Sequence, residues 1–166
     1  MEIRKETAAD FDAIMNVTLA AAKRPQIGKQ TGYATLNELR KSGLLTLSLV
    51  ADVDGTIVGH AGFYPITISG GSKGWYALGP ISVLPECGSQ GIRKALIAEG
   101  IEMIRAMHGK GVAIFGDPDY FRPLGFKDAP DLLVTNTTSP DFMVLPFGDK
   151  LPQGRVQLPE GFQIAG

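Results

Sequence analysis

Residues 75–116 read as strand, loop, helix, strand, and that order leaves few folds open to the chain. WYALGPISVL (75–84) is a long apolar run, and PECGSQG (85–91) interrupts it with one proline and two glycines. Ile92, Ala95 or Leu96, Glu99, Met103 and Met107 then recur close to one helical stripe, with Ile104 beside it. His108-Gly109 supplies a stop, and VAIFGD (112–117) reads as a buried strand. Two strands joined by a single helix run parallel, with the helix crossing over one face. Pro80 sits inside the first of them. Proline has no N–H for a ladder, so the strand should bulge or lose a partner there. A gap between the two strands follows, at the carboxyl end where α/β sheets bind ligands. The loop at 85–91 meets the start of the helix, where bare N–H groups and the helix dipole can cradle a phosphate. It lacks G-K-[ST], so it is not an ATP-type P-loop. An ordinary capping loop has the same appearance, and at this point both readings stand.

The flanking segments complete the pattern. Residues 2–5 read as a first strand, and TAAD (7–10) as a helix start with Thr7 as N-cap and Asp10 as its capping-box partner. Phe11, Ile14, Val17 or Thr18, Ala21 and Ala22 continue one face. Residues 23–32 are loop, and a second helix covers 34–41 and ends at Gly43. In LLTLSLVADVDGTIVGHAGFYPITI (44–68), Leu45, Leu47, Leu49 and Ala51 alternate with Thr46, Ser48 and Val50. Asp54-Gly55 marks a hairpin turn and SGGS (69–72) a second, which makes 45–84 an antiparallel meander. DPDYFRPLGF (117–126) is a short helical turn with a glycine exit, and FMVLPF (142–147) is a further strand.

The chain has 166 residues, one domain's worth with room for a sizeable core. A net charge of −1 argues against a dedicated nucleic-acid or membrane surface. No apolar run reaches the ~20 residues that span a bilayer. The opening MEIRKETAAD is too polar for a signal peptide, and the one cysteine, Cys87, forms no internal disulfide, so the cytoplasm is the expected compartment. Two histidines and one cysteine, far apart, have no metal-ligand spacing, and no metal is expected.

LGPISVLPE (78–86), IFGDPDYFRPLGF (114–126) and ELRKSGLLTLSLVA (38–51), taken with the element order, resemble the GNAT superfamily of acyl-CoA N-acyltransferases, and within it a bacterial subgroup of N-acetyltransferases. The resemblance covers residues 1–147, which it implies form one acetyltransferase domain, with 148–166 a C-terminal extension packing on it. It implies an α/β (α+β) fold: a mixed, mostly antiparallel sheet with a central splayed parallel strand pair and flanking helices. It also implies acetyl-CoA as co-substrate and a primary amine, of a small molecule or a peptide, as acceptor. A homodimer is a further possibility that family members suggest. The family's pyrophosphate loop follows Q/R-x-x-G-x-G/A, and here the register gives Gly88-Ser89-Gln90-Gly91-Ile92-Arg93. Gly91 matches, while Gly88 replaces Gln or Arg and Arg93 replaces a small residue. The amides of Ser89 to Lys94 are the candidate diphosphate donors. Arg93 either crowds that group or turns outward to add charge, as Lys94 can.

The same resemblance assigns chemistry to a few side chains. The thioester carbonyl takes a backbone N–H from the splayed strand, for which Val83 is the candidate, with Ile81 and Ser82 beside it along the pantetheine path. Many members place a Tyr acid five residues before the last Phe of the short-helix motif. Phe126 sets that register, the position holds Phe121, counted with the coenzyme-binding residues, and Tyr120 next door is either the acid or a core or rim aromatic. Many members carry a Glu base on the splayed strand, where this chain has Gly79, Pro80 and Ser82, none of them a base. A water chain then takes the amine proton. Asp117 and Asp119 are read as caps of the turn beginning at Pro118. His60 either faces the acceptor or is a satisfied structural residue. Cys87 is read as a bystander. Lys23, Arg24 and Lys29 either draw an acidic acceptor or are a solvated loop. The departures at Gly88, Arg93 and Phe121 also fit a second class, a catalytically impaired relative that serves as a binding or regulatory module.

Overall fold

The computed structural model describes residues 1–21, 32–69, 72–88, 91–130, 132–134, 142–148 and 151–157. Ser89, Gln90, Lys23, Arg24, Lys29, the centre of the SGGS turn and the end of the C-terminal extension lie outside the described residues. The chain forms two compact units, Met1–Tyr64 with Leu78–Met103, and Pro65–Ala77 with Ile104–Gly166.

In the first unit, β1 (Glu2–Lys5) pairs antiparallel with β2 (Leu47–Val53), which pairs antiparallel with β3 (Thr56–Ile68). Asp54, at φ 51°, and Gly55, at φ 88°, close the β2–β3 hairpin, as the Asp-Gly dipeptide requires. Leu47 through Ala51 are all buried. The alternation of leucines with Ser48 and Val50 does not sort an inside from an outside, because both faces of β2 are covered. On one face, α1 (Phe11–Ala21) and α2 (Gly32–Lys41) bring Ile14, Val17 and Leu36 against Val50 and Ile57. Full burial of each such aliphatic side chain contributes about 1.5–3 kcal/mol. On the other face, α3 (Ile92–Ala106) lies on glycine notches: a Cβ on Gly59 would stand 3.0 Å from Ile92 Cγ2 and from Leu96 Cδ1.

The entry to α1 is the capping box read from TAAD, delivered through a 3-10 turn at Ala8–Asp10. The Asp10 carboxylate accepts from the Thr7 N–H at 2.8 Å and takes both terminal nitrogens of Arg4, at 2.8 and 3.0 Å. Those hydrogen bonds to Arg4, with the Thr7 amide behind them, pull the Asp10 carboxyl down to about 2. They also hold the Arg4 guanidinium above its ordinary value.

In the second unit, the start of β4 (Ser72–Val83) runs parallel to β5 (Gly111–Phe115), from Trp75 opposite Gly111 to Ala77 opposite Ala113. The ladder stops there, three residues before Pro80, in keeping with the lost partner that proline implies. β8 (Phe142–Pro146) pairs antiparallel with β5, and β6 (Lys127–Asp128) with β8. β7 (Leu132–Val134) runs beside β9 (Gly154–Gln157), which pairs with the end of β3. The sequence reading has no β6, β7 or β9, since two to four residues are too few to show a period. The C-terminal stop of α3 differs in detail: His108 takes the left-handed conformation, at φ 65°, and the Gly109 N–H reaches back to Ile104 O at 3.0 Å.

Candidate active site

The carboxyl half of β4 and the start of α3 belong to one unit, and their relation follows from small residues. Leu84 N–H donates to Val58 O at 2.9 Å, which ties the end of β4 to β3. Pro85–Cys87 makes a 3-10 turn, closed by Cys87 N–H to Leu84 O at 2.9 Å and Gly88 N–H to Pro85 O at 3.3 Å. Gly91 then takes φ 72°, a left-handed conformation that costs a residue with a Cβ about 1–2 kcal/mol. The first helical bond is Ala95 N–H to Gly91 O, at 3.0 Å. The first-turn amides of α3 precede that bond, at the positive end of the helix dipole. Ile92 is buried, while Arg93 and Lys94 are exposed at that end. On β4, Ser82 is buried and Ile81 and Val83 are half-buried. Cys87 is half-buried and unbridged.

In the other unit, α4 (Pro118–Phe121) is capped by Asp117, whose carboxylate accepts from the Asp119 N–H at 3.0 Å. The capping role read for Asp117 is the observed one. Phe121 is fully buried, its ring edge-on to Tyr120 and to Phe126 at centroid distances of 4.9 and 5.4 Å. Tyr120 is half-buried. Gly125, at φ 101°, provides the expected glycine exit. Among the described residues, no three His, Cys, Asp or Glu side chains are placed to hold a metal ion. Among the described residues, no helix is long and apolar enough to cross a membrane.

His60 is fully buried on β3, with Nε2 2.7 Å from Ser48 Oγ. Burial, and then the charge of Arg40, push its pKa down to about 3, so the ring is neutral at physiological pH. Glu6 pairs with Arg40, whose guanidinium also lies 3.9 Å over the Phe11 ring. This polar group was not legible in the sequence, because Glu6, Arg40, Ser48 and His60 share no motif and meet only through β-pairing and the return of α2.

Strand order, the interrupted parallel ladder and a glycine-started helix point the same way as the family comparison. Residues 16–125 match the acetyltransferase (GNAT) family. The chain belongs to the GNAT acetyltransferase family. Structural neighbours carry the same family assignment. A GNAT family acetyltransferase from Brucella melitensis, solved in complex with acetyl-CoA, is 39% identical, with a TM-score of 0.82 over 96% of each chain. The GNAT family N-acetyltransferase YhbS from Escherichia coli, solved in complex with CoA, is 27% identical, with a TM-score of 0.84 over 99% of this chain and 93% of that one. In direct sequence comparison, the uncharacterized N-acetyltransferase YhbS of Escherichia coli K12 is 31% identical over 93 residues. That match takes in 55% of this chain and 56% of YhbS, so the chain spans about half the length of the curated relatives it matches.

Proposed function

We propose that the protein is an acetyl-CoA-dependent N-acetyltransferase that moves an acetyl group directly to a primary amine of a small molecule or peptide. The observation that carries this is Gly91, left-handed at φ 72° where the 3-10 turn feeds a 15-residue helix. Backbone there approaches a ligand without a side chain in the way. In this reading Gly88 and the amides of Ser89 to Lys94 hold the diphosphate of the coenzyme. Ile81 and Ser82 line its pantetheine arm. The Val83 N–H donates to the thioester oxygen as negative charge grows on it. Tyr120 gives its phenolic proton to the departing sulfur, and Phe121 backs the wall that Tyr120 presents.

The acceptor must arrive neutral. An α-amine, near pKa ~8, loses its proton far more easily than a lysine-type amine near ~10.4. No carboxylate stands on residues 78–83, so water takes this proton. That favours an α-amine acceptor. The pairing of β9 with Thr67 and Ile68 supports reading the described part of 148–166 as packed on the second unit. A cytoplasmic location and a homodimer complete the proposal.

A second reading, a binding or regulatory module without catalysis, is favoured by Arg93 at the helix start and by Phe121 in place of a phenol. Two measurements separate the readings. Acetyl-CoA at ~100 times its Kd should stabilise the fold by ~2.7 kcal/mol, visible as a rise in melting temperature. Thiol release from acetyl-CoA in the presence of an amine panel should then be catalytic. Stabilisation without thiol release, or no stabilisation at all, selects the module, which binds the coenzyme weakly or not at all.

A further inference from the structure

The Ser48–His60 pair has a hydrogen to spare. A neutral imidazole carries one N–H, and among the described residues His60 Nδ1 has no hydrogen-bond partner. A buried N–H without an acceptor is rarer and costlier than a bare buried acceptor. The proton therefore sits on Nε2 and is donated to Ser48 Oγ across their 2.7 Å contact. With a lone pair so occupied, the Ser48 hydroxyl turns its own hydrogen elsewhere.

Ser48 lines a recess of about 270 Å³, together with Lys5, Glu6, Arg40, Gly43, Leu45, Thr46 and Leu47. Two cations face one carboxylate there. Glu6 engages one nitrogen of Arg40, and the Phe11 ring fixes the guanidinium plane, so its remaining N–H groups are held in place without losing them all to Glu6. Ser48, Lys5 and Arg40 thus supply donors, and Leu45 and Leu47 supply a short apolar wall. We propose that this recess binds a small aliphatic carboxylate, with one oxygen on Ser48 Oγ–H and the charge shared by Lys5 and Arg40. The surplus of a single positive charge suits a monoanion, and Glu6 repels a phosphate dianion. None of the lining residues is one of the proposed coenzyme donors.

The test is a side-chain and amide NMR titration of the ¹⁵N-labelled protein with sodium acetate, against sodium chloride at matched ionic strength. Acetate should give saturable shifts at Thr46, Ser48 and the His60 Nε2–H, with a millimolar Kd. Lys5→Ala, at an exposed position, and Ser48→Ala should each weaken binding by roughly tenfold, the effect of one lost charge-assisted hydrogen bond. Chloride-matched or unsaturable shifts would overturn the proposal, as would unchanged affinity in Lys5→Ala with its melting temperature retained. Tighter binding of inorganic phosphate than of acetate overturns the carboxylate assignment. A long-range ¹H–¹⁵N spectrum showing the proton on Nδ1 removes its basis.

Discussion

Phe63 fills the space that a side chain at Gly100 would need: a Cβ built there would stand 2.2 Å from the ring's Cζ and 2.3 Å from Cε1. The ring is fully buried and cannot step aside without moving its neighbours. Gly100→Ala gains about 1 kcal/mol of helix propensity. It loses about 1–3 kcal/mol, occasionally more, to overpacking. The net expectation is destabilisation, by as much as about 2 kcal/mol, seen as a lower melting temperature and a lower urea midpoint. A stabilised variant would show that the ring has room to retreat.

Gly91 tests the proposed coenzyme site and not the core. A Cβ there meets nothing within 4 Å, so Gly91→Val strains only the backbone and the approach of a ligand. Its acetyl-CoA affinity should fall at least about tenfold, with the fold intact by circular dichroism, since ~1.4 kcal/mol of strain or lost approach is tenfold. Isothermal titration decides it.

His60 makes stability depend on pH. Its folded pKa of about 3 lies below the ordinary 6.5, so the unfolded chain takes up the proton first. The contribution is fully present above 6.5 and is lost as pH falls toward 3. The slope approaches about 1.4 kcal/mol per pH unit inside that window. Urea unfolding at pH 7, 6 and 5 measures it. His60→Gln should flatten the curve there, even if it is less stable at neutral pH.

Asp10 acts lower on the scale. Its carboxyl, held at about 2 against an ordinary 3.8, contributes stability above 3.8 that is lost as pH drops toward 2. Asp10→Ala removes the cap of Thr7 and the partner of Arg4 together, and should cost about 1–2 kcal/mol at neutral pH. The difference between wild type and variant should shrink below pH 4, which acid titration of the two unfolding curves reads directly.

Tyr120→Phe tests the proposed acid. Removal of a proton donor should lower kcat by about 10²-fold. Acetyl-CoA affinity should be unchanged, because the ring remains. An unchanged kcat returns Tyr120 to the role of a half-buried aromatic.

Much of the fold was readable where the chain repeats a period or spends a special residue. The β2–β3 hairpin shows in Asp54-Gly55, α3 in its apolar stripe, and the end of the parallel ladder in Pro80. The candidate site was readable only as far as backbone chemistry: Gly91 and the break at 85–91 identify the turn. β6, β7 and β9 were hidden because pairing with distant strands, not local pattern, makes two to four residues extended. The Ser48–His60 contact was hidden for a related reason. Ser48 was read only as one of the residues alternating with the leucines, and α1 and α2 closing over that face turn it inward. His60 was left between two roles by the sequence, and burial with a hydroxyl partner makes it a core residue of its unit.

Gly59 touches no proposed ligand, yet Ile92 and Leu96 stand 3.0 Å from the methyl group it lacks. Its bareness works as a shim of zero thickness under the first turn of α3. Any thicker residue would raise the first turn of α3 by a few tenths of an ångström, and so detune the proposed coenzyme grip from beneath, through a position that a survey of ligand contacts would pass over.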